Sequence, residues 1–243
     1  MTDEVLLDDD DYDDYEDYYE QYSVTPPLER SLCVFDLDET LVHSEMFEFP
    51  GASSVPCDDT VVWVAVRPGA HALLALVAQY ADLGVWSAGF DNYVAATVER
   101  FFGDTYFRFV WGARHCATTP ATAFHRWLLL SGQIAHTTHK PLDVIVHRFG
   151  YRRERIVLVE DNELNTLADE RNALIVPEFD PLRFETDADA LFALACYMRW
   201  ILEECDDVAI GDVDKTRWQF HQSVTGAPLR VDVCAGGGNA HAQ

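Results

Sequence analysis

The chain has 243 residues, a hydrophobic fraction of 49% and a formal net charge of −25 at pH 7. That length and apolar content suit one packed domain with tails, not two full domains. So large an excess of acid leaves no electrostatic footprint for direct nucleic-acid binding or for an anionic membrane surface.

Residues 1–28 read MTDEVLLDDDDYDDYEDYYEQYSVTPPL. Carboxylates and tyrosines dominate, and Pro26-Pro27 closes the segment. Such a segment repels itself and cannot bury a core, so the expectation is a disordered tail. Its tyrosines, Tyr12, Tyr15, Tyr18, Tyr19 and Tyr22, sit among carboxylates and give the tail a second reading, as a mimic of a phosphorylated substrate.

From residue 29 to 204 short apolar runs alternate with amphipathic ones. Ser31–Leu37 reads as a buried strand and Thr60–Arg67 as a second extended run. Ala70–Ala81 has helical spacing and Leu83–Ser87 is a short strand. Asp91–Phe102 is a helix with Asp91 or Asn92 as its cap. Phe107–Gly112 is a strand, and Ala121–Leu130 and Leu142–Phe149 are helices. Arg155–Val159 is a buried strand, Glu163–Glu170 a helix, Ala173–Val176 a strand and Ala188–Glu203 a long helix. All-apolar strands alternating with helices predict an α/β domain with a mainly parallel sheet. Residues 205–243 form a partly disordered extension, in which Thr216–Phe220 and Leu229–Val233 are the segments able to pack on the domain.

Six cysteines, at 33, 57, 116, 196, 205 and 234, form no C-x-x-C pair. Scattered thiols of this kind suit a reducing compartment. There is no signal-peptide pattern and no apolar run of about 18 residues. The expectation is an intracellular protein, nuclear or cytoplasmic, without a membrane segment.

Two apolar strands end in acid. The first runs Cys33-Val34-Phe35-Asp36-Leu37-Asp38-Glu39-Thr40, and the second ends Val159-Glu160-Asp161-Asn162. In open parallel sheets, ligands bind outside the carboxyl ends of the strands. Asp36, Asp38, Asp161 and Asn162 would then meet around one pocket, with hard oxygen ligands that suit Mg²⁺. Each motif alone also reads as a plain loop or a helix cap. Lys140 is one of only two lysines, with Lys215. It precedes the helix that leads into the second acidic strand and can neutralise a phosphate oxygen. Ser87-Ala88-Gly89 offers a hydroxyl and backbone N–H groups at a strand-to-helix turn. His136-Thr137-Thr138-His139 reads as a polar loop.

These pieces, in this order, resemble the carboxy-terminal-domain phosphatases of RNA polymerase II. Those enzymes share an FCP-type homology domain within the haloacid dehalogenase superfamily. The matching strings are FDLDETLVHS at 35–44, VRPGAHALLALV at 66–77, VWSAGFDNYV at 85–94, HK at 139–140, VEDNELN at 159–165 and NALIVPEF at 172–179. The resemblance implies a three-layer Rossmann-like domain with a small hairpin insert and no large cap. It implies an Mg²⁺-dependent protein serine/threonine phosphatase. Asp36 would be the nucleophile that becomes an aspartyl phosphate, and Asp38 the acid and then the base. Thr40 would hold its loop in register, and Ser87 and Lys140 would grip the phosphoryl oxygens. Asp36, the Asp38 carbonyl and Asn162 would coordinate the metal, supported by Asp161. Arg67 would be structural. The family often places an arginine three residues before a cysteine to contact the phosphopeptide. Here Ala113 holds that position, and Arg114 is the candidate substrate contact.

The segment after His43, SEMFEFPGASSVPCDDT, is too short and too rich in Pro and Gly to form a closing domain. An open site favours a phosphoserine or phosphothreonine on another protein over a sealed metabolite. Two other readings stay open at this level. One is a catalytically weak scaffold protein on the same fold, and the other is a small-molecule phosphatase.

Overall fold

A computed structural model describes residues 30–120, 136–181, 190–204, 208–216 and 218. In chain order the strands are β1 (Ser31–Phe35), β2 (Val42–Glu45), β3 (Ser53–Cys57), β4 (Thr60–Val66), β5 (Ala81–Trp86), β6 (Val110–Trp111), β7 (Ala117–Pro120), β8 (His136–His139), β9 (Ile156–Glu160) and β10 (Ala173–Ile175). The helices are α1 (Ala70–Val77), α2 (Asp91–Phe102), α3 (Leu142–Phe149) and α4 (Ala190–Glu203). The acidic tail, the Ala121–Leu130 helix and Leu229–Val233 lie outside the described residues.

Among the described residues the central sheet has the order β10-β9-β1-β5-β6, and every neighbouring pair in it is parallel. β1 is central and the chain leaves it in opposite directions, to β5 on one side and β9 on the other. That reversal opens a crevice at the carboxyl edge of the sheet. The mainly parallel α/β architecture expected from the strand pattern is the one observed.

Both faces of the sheet are covered, which is why its strands are apolar throughout. Cys33, Phe35, Val157 and Val159 face one core with residues of α1, α2 and α4. Leu32, Val34, Ile156 and Leu158 face a second core with Leu142 and Ile145 of α3 and the aromatic rings of Trp86, Phe109 and Trp111. The alternation is the period of two that strand geometry imposes. Beyond residue 204, Ile210, Val213 and Trp218 are buried in the first core. The Trp218 indole N–H donates to the Ile175 carbonyl at 2.9 Å, closing the β10 edge.

The insert between β1 and α1 is an antiparallel sheet of order β2-β4-β3. It hugs the domain instead of covering it as a cap. A second antiparallel pair, β7 with β8, corrects the loop expected at His136–His139. The backbone register places Ala117 opposite His139 and Thr118 opposite Thr138.

Three other local expectations change. The helix expected over Glu163–Glu170 is two 3₁₀ turns, Glu163–Thr166 and Glu170–Asn172. Thr166 donates its hydroxyl to the Glu163 carbonyl and Asp169 N–H donates to the Thr166 carbonyl, so local bonds tighten the turn. The strand over Phe107–Gly112 shrinks to Val110–Trp111. Neither Asp91 nor Asn92 occupies the cap position of α2, which is Phe90 with no side-chain cap, although Asn92 Oδ1 accepts the first-turn N–H of Tyr93 at 2.8 Å. Asp91 instead takes the Arg114 guanidinium, and Asn92 bonds Asp58.

Candidate active site

β1 and β9 run side by side in register, Phe35 opposite Val159, and the Asp36 N–H donates to the Val159 carbonyl at 2.9 Å. The two acidic strand ends therefore do meet. Oxygens of Asp36, Glu160 and Asp161 all lie within 4.8 Å of one another. Asp36 and Glu160 are buried and Asp161 is half-buried.

Lys140 enters from the end of β8. It is 1% exposed, and its ammonium lies 2.5 Å from Asp36 Oδ1 and in direct contact with Glu160. Its backbone N–H donates to the Asn165 carbonyl at 2.9 Å, and Asn165 Nδ2 donates to Glu160 Oε2 at 3.2 Å. Lysine, asparagine and glutamate thus close a ring that fixes the cation beside Asp36. Burial works against the Lys140 charge, yet Asp36 and Glu160 outweigh it and hold the ammonium above its ordinary pKa. Burial, then Glu160, push the Asp36 carboxyl well upward against the pull of Lys140. Burial, with Glu160 again, pushes Asp161 up to about 6. Three carboxylates facing one lysine leave negative charge in excess. Such a pocket takes up protons or a cation, and its hard oxygens fit Mg²⁺.

Asn162 caps the 3₁₀ turn at Glu163, its Oδ1 accepting the Leu164 N–H at 3.0 Å. An amide oxygen has a second lone pair, so the cap and a metal contact are compatible. Thr40 is buried, and its hydroxyl reaches across to Asp161 Oδ1 at 3.5 Å. Glu39, between the two aspartyl residues and Thr40, has a left-handed φ of 59°. Its carbonyl accepts the Phe179 N–H at 2.7 Å, and Arg67 Nη1 lies 3.2 Å from the Thr40 carbonyl and 3.4 Å from that of Glu39. Arg67 is fully buried and its guanidinium lies 5.5 Å from the centre of the Phe179 ring. The loop is thereby held from both sides in a conformation it would not choose alone.

Ser87 follows β5 directly and is buried. Its Oγ accepts the Gly89 N–H at 2.9 Å and donates to Asp38 Oδ2 at 3.2 Å. Gly112 makes this turn possible. A Cβ there would meet the Asp91 backbone and the Gly89 carbonyl at 2.7 to 2.8 Å. Ala113 N–H then donates to the Gly89 carbonyl at 2.8 Å, so Arg114 lies against the Ser87 loop. The Arg114 Nε pairs with Asp91 Oδ2 at 3.1 Å on the exposed surface.

The structure brings together Asp36, Lys140 and Asp161, and joins Asp38 to Ser87. Four residues of this constellation escape a reading of the sequence. Glu160 lies inside the acidic string but passes for a surface acid, and Asn165 for a helix residue. Tyr93 and Ser44 both donate to Asp38, yet they read as a core aromatic and a loop hydroxyl. Burial, then the Asp38 carboxylate, push the Tyr93 phenol upward, so it stays a donor.

Comparison with protein families settles the lineage. The model of the NLI interacting factor-like phosphatases matches residues 31–209. The chain belongs to that family. As a sequence it has no significant match among curated proteins. Two of the solved structures that resemble it are forms of one phosphatase. One is a variant of the fission yeast RNA polymerase II CTD phosphatase Fcp1 bound to beryllium fluoride, at 13% identity and a TM-score of 0.43, covering 78% of this chain and 54% of that one. The other is Fcp1, described as an essential RNA polymerase II CTD phosphatase, at 13% identity and a TM-score of 0.41, covering 68% and 45%. The chain thus spans about half the length of these structures. Among the described residues, no helix is long and apolar enough to cross a membrane.

Proposed function

We propose that the protein is an Mg²⁺-dependent protein serine/threonine phosphatase that works through an aspartyl-phosphate on Asp36. The observation that carries this reading is the burial of Asp36 against Lys140, with the carboxylates of Glu160 and Asp161 within 4.8 Å. Asp36, the Asp38 carbonyl and Asn162, with Asp161 in support, are the residues that would hold the metal. When bound, the ion supplies charge neutralisation between a carboxylate nucleophile and an anionic phosphate.

The residues supply the rest. An Asp36 oxygen attacks phosphorus and the bond to the serine or threonine oxygen breaks. Asp38 gives that oxygen its proton. In the second half Asp38 takes a proton from water, whose oxygen attacks phosphorus, and the bond to Asp36 breaks. Splitting the hydrolysis this way replaces one difficult step by two easier ones. Ser87 and Lys140 position the phosphoryl oxygens, and positioning with charge stabilisation is the main catalytic resource in phosphoryl transfer.

Exposed apolar side chains on the segments around the site support a protein substrate. Phe90, at 78% exposed, follows the Ser87 turn, and Met46 and Phe47, at 67% and 56%, follow the strand that carries Ser44. Apolar side chains beside an anion pocket suit a phosphopeptide, of which the RNA polymerase II carboxy-terminal repeat is the family's example. Arg114, against the Ser87 loop, is the candidate peptide contact.

The test is hydrolysis of an aryl phosphate with and without Mg²⁺, by the intact chain and by Asp36→Asn. Turnover that needs the metal and disappears in the variant is expected. Equal turnover by the variant would end the proposal. A phosphopeptide panel that includes the polymerase repeat, with phosphotyrosine controls, then defines the substrate.

A further inference from the structure

One carboxyl oxygen of Asp38 is fully engaged and the other is not. Oδ1 accepts the Tyr93 hydroxyl at 2.5 Å and the Ser44 hydroxyl at 3.0 Å. Oδ2 accepts only the Ser87 hydroxyl, at 3.2 Å, among the bonds described. The donors to Oδ1 come from separate elements, Ser44 from β2 of the insert and Tyr93 from the first turn of α2. Tyr93 is 7% exposed and packs in the main core beside Val94 and Val98, so its ring is fixed independently of the bond its hydroxyl makes.

A carboxyl oxygen has two lone pairs, and two donors fill those of Oδ1. The proton of a protonated Asp38 is then left with Oδ2. That oxygen lies on the side of Ser87, the hydroxyl assigned to the phosphoryl group. Resting on the phosphatase reading above, we infer that Tyr93 and Ser44 are positioning residues for the reaction. They clamp Oδ1 and direct the transferable proton of Asp38 onto Oδ2, toward the leaving oxygen. In the first step the Oδ2–H bond breaks as the bond from phosphorus to the leaving oxygen breaks, and the proton ends on that oxygen. In the second step Oδ2 receives one proton from the water whose oxygen forms the new bond to phosphorus, as the bond from phosphorus to Asp36 breaks.

The clamp makes a prediction that a general structural role does not. A poor leaving group needs the proton, whereas a good one departs largely without it. General acid catalysis contributes about 10²- to 10⁴-fold. Tyr93→Phe and Ser44→Ala should therefore lower kcat/KM for phenyl phosphate by about tenfold or more, a fraction of that contribution. The loss should be several-fold smaller for dinitrophenyl phosphate. kcat/KM is the quantity to read because it reports formation of the phosphoenzyme, the step in which the leaving group departs. In an Asp38→Asn background, Tyr93→Phe should add little, since the group it positions is gone.

Equal losses across the leaving-group series, or full additivity with Asp38→Asn, would overturn the inference. Ser44→Ala makes the same test if Tyr93→Phe does not fold. Asp38→Asn alone separates the levels. If it steepens the leaving-group dependence and the two hydroxyl variants do not, only the clamp is lost. If it does not, Asp38 is not the acid and the clamp falls with it.

Discussion

Replacing Glu160 by glutamine tests the charge balance of the site. Glu160 is 1% exposed, with one oxygen on Lys140 and the other on Asn165. It is not free to serve as a ligand without breaking the ring that fixes the lysine, so its main influence on a bound ion is through its charge. Two unit charges 4.8 Å apart, the outer spacing of the carboxylate oxygens, interact by about 3.5 kcal/mol at an effective dielectric of about 20. The nearby Lys140 reduces the net effect. A remaining 1.4 kcal/mol corresponds to about tenfold in affinity. Glu160→Gln should therefore weaken Mg²⁺ binding by about tenfold or more. It should also tighten binding of inorganic phosphate without metal, because one repelling charge is gone and Lys140 is less neutralised. Titration calorimetry of each ion reads both signs. Unchanged Mg²⁺ affinity, or weaker phosphate binding, would refute the electrostatic account.

The remaining expectations concern pH and packing. Asp161 is pushed up to about 6, so protons compete with the metal below that value. Mg²⁺ affinity should hold above about pH 6 and fall as pH drops through it, and a calorimetric series should lose this inflection in Asp161→Asn. Trp218→Ala removes a 3% exposed indole and its bond to β10. Urea unfolding should show a loss of about 3–5 kcal/mol, the range for large aromatic truncations. Gly112→Ala drives a Cβ into the Asp91 and Gly89 backbone. It should cost about 1–3 kcal/mol by overpacking and lower kcat by displacing Ser87; a variant with parental stability and turnover would show that the turn has slack.

How much was legible follows from burial. β1 and the Ile156–Val159 part of β9 are covered on both faces, so each reads as an apolar run, and the acidic string that follows each run marks the sheet edge. Those strings make Asp36 and Asp161 visible in the sequence alone. Glu160 escapes the sequence because its burial depends on β10, where Ile175 is its register partner and the next residue, Val176, donates its N–H to the Glu160 carbonyl from later in the chain. Tyr93 was hidden for the opposite reason. It satisfies the apolar spacing of α2 so well that nothing marks its hydroxyl. The β7–β8 pair escapes the sequence because His136–His139 has no apolar alternation to mark a strand. The two 3₁₀ turns after Asn162 arise from side-chain bonds to nearby backbone, which compete with a regular helix without changing its pattern.

The backbone ties around the Asp36–Thr40 loop span most of the domain. Asp36 leans on Val159, Glu39 on Phe179, and Lys140 on Asn165. A nascent chain that had emerged only as far as β6 would display both aspartates of the first motif and have none of these props. On the phosphatase reading, the sheet edge would gain its full set of supports only once β8, β9 and the segment after β10 have docked, so turnover would belong to the completed fold.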